Sequence, residues 1–154
     1  MAIISAYPVG TPAAGDYLVG SDITTAGTQI NPTKNFVLSD VVATGLGYTS
    51  YNALLTQNGV LAPVIADLKN DTGATMVWTR VNPGEYLCTA SSPIFTATNK
   101  IQVFINPGKP GTVGTFIQWE RPNTTTISID TYDIAGVAAD TKLDNAPIEI
   151  RIYT

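Results

Sequence analysis

The chain has 154 residues, 44% of them hydrophobic and 13% charged, and eight basic against twelve acidic side chains give a formal net charge of −4. That balance, with a mean hydropathy of +0.14, excludes a disordered polyelectrolyte and speaks against a nucleic-acid binder, which needs clustered Lys and Arg to neutralise phosphates. The absence of histidine removes the commonest general base, metal ligand and pH switch, and a single cysteine leaves no internal disulfide and no cysteine zinc site.

Residues 1–47 read as an extended N-terminal arm. Met1 to Pro8 is apolar, but Pro8, Gly10 and Pro12 interrupt it and no basic segment precedes it, so no secretory signal is expected. No apolar run approaches the roughly 20 residues of a membrane-spanning helix. The expectation is a soluble chain made in a cytoplasm. Short extended segments are predicted at 17–20 and 35–38, and Ser39 and Asp40 suit the start of a one- or two-turn helix ending near Gly45 or Gly47. Such sparse apolar clusters cannot offset an ordering cost of ~1–2 kcal/mol per residue, so the arm should be bound to something else.

From Tyr48 onward strands follow one another. They are predicted at 51–57, 60–68, 75–81, 85–89, 100–106, 114–120, 125–132 and 147–153. Asn58-Gly59 is the strongest hairpin signal, Pro63 pushes its segment toward an edge or bulge, and Asn82-Pro83-Gly84 is a turn. The last segment alternates Ile148, Ile150 and Ile152 with Glu149, Arg151 and Tyr153. Threonine, 22 residues of the chain, suits solvent-facing strand positions. Residues 133–144 read as a long loop. The fold class is therefore all-β: an extended arm with a short helix (1–47), then an antiparallel, jelly-roll-like β-sandwich (48–154).

Two stretches carry a family resemblance. Gly15-Asp16-Tyr17-Leu18-Val19-Gly20-Ser21-Asp22, followed by Thr33-Lys34-Asn35-Phe36-Val37-Leu38-Ser39-Asp40-Val41, resembles a segment found near the N-terminus of tailed-bacteriophage fibre, appendage and capsid-associated proteins. Tyr51 to Gln57, Ala62-Pro63-Val64 and Leu68 to Arg80 resemble a small β-domain that such arms carry. The resemblance implies a virion structural protein, made in the bacterial host, whose arm docks on the capsid or an appendage while the β-domain caps, trimerises or is displayed. The short length and the lack of a repetitive shaft point to a decoration or head-fibre protein. A homotrimer is the state the resemblance favours.

Tyr17, Leu18, Val19, Phe36 and Leu38 are the candidate docking anchors, acting together with strand addition to a partner's sheet edge. Asp16, Asp22, Lys34 and Asp40 read as turn residues or caps. In the rival reading, a tail-fibre or baseplate adsorption module, Trp78, Trp119 and Tyr132, with Tyr86, would stack on host-surface carbohydrate. Asp130, Asp133, Asp140 and Asp144 form the densest carboxylate cluster, but no calcium-loop spacing is present and a glycosidase pair with Glu120 is not indicated. Cys88 reads as a buried small hydrophobe. No catalytic residue, cofactor, metal, nucleic acid or membrane partner is expected.

Overall fold

Strands make up almost all the regular structure among the residues that the computed structural model describes, which are 13, 15–21, 33–38, 41, 45, 47–108 and 114–153. The chain divides into two compact units, Met1–Gly47 and Tyr48–Thr154. In the first, β1 (Tyr17–Ser21) pairs antiparallel with β2 (Thr33–Val37), with Leu18 opposite Phe36 and Tyr17 opposite Val37. The short helix expected from Ser39 and Asp40 begins on residues outside those described.

The second unit holds β3 (Tyr48–Thr56), β4 (Val64–Asn70), β5 (Met76–Asn82), β6 (Glu85–Ala90), β7 (Ile101–Ile105), β8 (Phe116–Asn123), β9 (Thr126–Tyr132) and β10 (Ala146–Tyr153). They form two four-stranded antiparallel sheets, β4-β3-β10-β7 and β5-β6-β9-β8, packed in a sandwich-like arrangement. The jelly-roll detail of the sequence reading is corrected by the strand order. A jelly roll sends most consecutive strands to the opposite sheet, whereas β3–β4, β5–β6 and β8–β9 are hairpins within one sheet. The physical reason is link length. Only Pro83-Gly84 joins β5 to β6 and only Thr124-Thr125 joins β8 to β9, too short to cross the ~10 Å between sheets and set up a new strand.

Alternation decides which side chains enter the core. Ile148 and Ile150 are buried while Pro147 is exposed and Glu149 half-exposed, as the sequence pattern of β10 requires. They meet Tyr51, Ala53 and Leu55 of β3 on the same face, and Trp78, Tyr86, Cys88, Ile127 and Ile129 come from the opposing sheet. Phe95 and Leu143, from connections rather than strands, are also fully buried. Each such large side chain contributes about 1.5–3 kcal/mol, so Ile150→Ala would remove about 2–5 kcal/mol with its cavity.

Two local features depart from the expected strand limits. The segment predicted at 60–68 becomes a strand only at Val64, because Leu61 N–H closes a turn on Asn58 O at 3.2 Å and Pro63 has no N–H for a ladder. A bulge between Asn52 and Ala53 then shifts the β3–β4 register. At the β5–β6 turn Gly84 has φ +73°, and a Cβ there would come within 2.7 Å of Ala139 N. Glycine is required at that position for both reasons.

Candidate functional site

The five candidate anchors lie on or beside the β1–β2 hairpin. Leu18 and Phe36 are directly opposed on one face, 45% and 37% exposed, while Tyr17 and Val19, 66% and 73% exposed, project from the other. Leu38 is half-buried just past β2, and its N–H extends the ladder to Asp16 O at 2.8 Å. The hairpin therefore gathers the anchors into one small element but divides them between two faces. Asp16 is a turn residue: its carboxylate accepts from Ala13 N–H at 2.7 Å, and its own N–H donates to Ala13 O at 3.0 Å. Asp22 and Asp40 are outside the described residues.

The aromatic candidates do not form a stacking platform. Trp78 is 5% exposed and Tyr86 fully buried, so neither offers a free ring face. The indole N–H of Trp78 donates to Tyr51 Oη at 3.3 Å, and Tyr51 donates in turn to Asp67 Oδ1 at 2.7 Å. Burial and the Asp67 carboxylate together push the Tyr51 hydroxyl well above the usual phenol range. Trp119 is half-buried and packs against the core from β8, on the far side of the sheet from Trp78 in β5. Tyr132 lies on the outer face of that sheet, opposite Phe116. The physical reason for this scattering is the strand period, which sends Trp78 and Trp119 inward and Tyr132 outward.

The aspartates of the long loop likewise go to separate tasks. Asp133 Oδ1 accepts from the N–H groups of Ala135 and Val137, both at 2.9 Å, and so caps its own turn. Asp140 is gripped by Arg80, whose Nε and Nη2 donate at 3.0 and 2.7 Å, and also accepts from Gly84 N–H and Tyr86 Oη at 3.0 Å. The Arg80 guanidinium, helped by those two donors and opposed by burial, holds the Asp140 carboxyl down to about 2. Asp130 is different. Glu85 is directly opposite it on β6 and Glu120, opposite Ser128, lies diagonally across on β8, and burial followed by those two charges raises the Asp130 carboxyl. Among the described residues no three His, Cys, Asp or Glu side chains converge to hold a metal, and no helix is long and apolar enough to cross a membrane. Cys88 is fully buried, and burial pushes its thiol up to about 12.

A surface that sequence reasoning missed lies on the outer side of β4-β3-β10-β7. Arg151 stands there between the rings of Tyr48 and Phe104, its Cζ 4.9 Å from each centroid, and forms a two-pronged pair with Glu149 at 2.7 and 3.1 Å. Tyr153 packs 5.3 Å from Tyr48, and its hydroxyl donates to Gln102 Oε1 at 3.0 Å. Beside them a groove of about 340 Å³ opens between Leu68, Phe104, Pro147 and Glu149. Its sequence signal was the polar half of the β10 alternation, which marked Glu149, Arg151 and Tyr153 only as solvent-facing. Comparison with protein-family models, curated proteins and solved structures returns no match for this chain.

Proposed function

We propose that the chain is a non-enzymatic structural component of a tailed-phage particle. Its 1–47 unit attaches it to the capsid as a decoration or head-fibre protein, and the 48–154 domain is what it carries. The observation that supports this reading is the hairpin, where Tyr17, Leu18, Val19 and Phe36 are large, apolar and exposed. A two-stranded sheet is marginal in water without further packing. Covering these side chains gains ~25 cal/mol per Å² of apolar area, and among the described residues β1 and β2 pair only with each other, which leaves each a second backbone edge for another strand. The partners are then other virion proteins, and neither cofactor nor nucleic acid takes part.

The test is attachment. Antibody raised against 48–154 is expected to label purified particles of the encoding phage at fixed positions on the head. Particles lacking the protein should take up the full chain but not the Val19→Ser, Phe36→Ser double variant. Labelling confined to the tail or baseplate, with the isolated chain binding host-surface glycan, would replace this reading with the adsorption module.

A further inference from the structure

We propose that the outer face of the β4-β3-β10-β7 sheet is where this domain meets a second copy of itself. This goes beyond the particle reading and stands or falls without any particle present.

The face is built in rows that follow the strand register. Ala66, Leu54 and Pro147 align across β4, β3 and β10; the next row is Lys69, Asn52, Glu149 and Phe104; then come Ser50, Arg151 and Gln102, and finally Tyr48 with Tyr153. The bulge opposite Asn52 and Ala53 adds Leu68 to the second row. The apolar members are open to solvent: Val64 is 70% exposed, Leu68 66% and Phe104 49%. Tyrosine, phenylalanine and arginine gathered beside a groove are the side chains that carry interface energy.

Charge selects the occupant. The charged groups of the face are already paired within it, Arg151 with Glu149 and Lys69 with Asp71 at 2.7 Å, and the four sum to zero. Lys69 also donates to Ser50 Oγ at 3.2 Å. A partner that covers this face leaves no ion unpaired, so the desolvation cost that penalises a buried lone charge does not arise. Neither an acidic nor a basic partner gains from it. An identical face, equally neutral and equally apolar, meets it without like-charge repulsion, as a self-complementary interface requires. The other sheet shows the converse. Its outer strand positions carry Glu85, Asp130 and Glu120 with no Lys or Arg among them, so two copies would press carboxylates together.

The experiment is the solution mass of the full chain by light scattering across a concentration series. The expected result is a mass at least twice the 16.3 kDa of one chain, falling to 16.3 kDa in Leu68→Asp and Phe104→Asp. Val77→Asp, on the outer side of the other sheet, should leave the mass unchanged. Should the aspartate variants lose their fold, cysteine cross-linking decides instead. Leu68→Cys should give an oxidised covalent dimer and Val77→Cys should not, with Cys88 too buried to compete. A wild-type monomer throughout, an oligomer that survives Leu68→Asp and Phe104→Asp, or equal cross-linking from both positions would overturn the proposal.

Discussion

Arg80 and Asp140 lie 60 residues apart in sequence and meet in a two-pronged ion pair, Nε to Oδ1 at 3.0 Å and Nη2 to Oδ2 at 2.7 Å. The pair fastens the long β9–β10 connection to β5, and the same carboxylate holds Gly84 N–H and Tyr86 Oη. Asp140→Asn removes one prong and the negative charge, and should lower the unfolding free energy in urea by about 2 kcal/mol. The pH dependence follows from the depressed carboxyl. Asp140 titrates at about 2 when folded, against 3.8 ordinarily. Its contribution is therefore complete above pH ~4 and is lost as pH falls from ~4 through ~2. Wild type should show that acid loss in its urea midpoint, and Asp140→Asn should show less of it.

Asp130 carries the opposite sign. Its carboxyl is raised, so the folded state holds the proton more tightly than the unfolded chain and ionisation works against folding. Stability from this group is present below the unfolded value near pH 4 and falls as pH rises through the folded value. Asp130→Asn should therefore raise the unfolding free energy in urea at pH 7 by about 0.2–1 kcal/mol, and the midpoint with it, with the gain shrinking on acidification. A lower midpoint at pH 7 would show that the carboxylates of Glu85 and Glu120 do not repel it.

Gln57 is 1% exposed and spends its side-chain amide and its backbone N–H on two connections. Its Nε2 donates to Gly59 O at 2.6 Å and to Leu61 O at 3.1 Å, its Oε1 accepts from Thr141 N–H, and its own N–H donates to Leu143 O at 2.9 Å. Gln57→Ala strands Gly59 O, Leu61 O and Thr141 N–H and should cost about 1–3 kcal/mol in urea unfolding. Hydrogen exchange should speed up at Thr141, and less so in the ladder of β5-β6-β9-β8.

Cys88 tests the core directly. A thiol with no exposure, raised to about 12, should stay unlabelled by a disulfide reagent at pH 8 in the native protein and react as one thiol per chain once urea unfolds it. Prompt labelling without denaturant would mean that the sandwich opens around β6.

Local patterns in the sequence account for what was legible in it. The Ile148, Ile150, Ile152 alternation, the β-branched and aromatic run that became β5, and the Pro83-Gly84 turn are each contained in a few residues, and each appears where the pattern places it. Sheet order was not legible. Asn58-Gly59 suggested that β4 lies beside β3, but that β10 lies between β3 and β7 depends on contacts made far along the chain. Nor could the facing of Trp78 be read, since its neighbours Val77 and Thr79 suit either side and the register with Cys88 decides. Phe95 and Leu143 lack any period because they enter the core from connections. The extended segments around Tyr17 and Phe36 were readable; their pairing with each other was not, because eleven residues separate Ser21 from Thr33 in the sequence. The outer face around Arg151 needed four strands to be assembled before it existed.

β10 lies between β3 and β7, and this ties the making of the domain to its own final strand. Thr56 ends β3, Ile105 ends β7 and Ala146 begins β10, so synthesis at about 5–20 residues per second leaves an edge of β3 unfilled for about 5–20 s of translation and an edge of β7 for about 2–8 s. Nothing within the earlier strands can close that gap, because the missing ladder runs the full length of β3, up to Tyr48 opposite Tyr153. Closure then waits for a single late insertion that seals two edges at once. Pairing over such a span belongs to the slow, millisecond-to-second range of domain folding. An mRNA cut before Ala146 would yield a chain with two adhesive edges exposed together, a candidate for aggregation and proteolysis rather than a smaller version of the same protein.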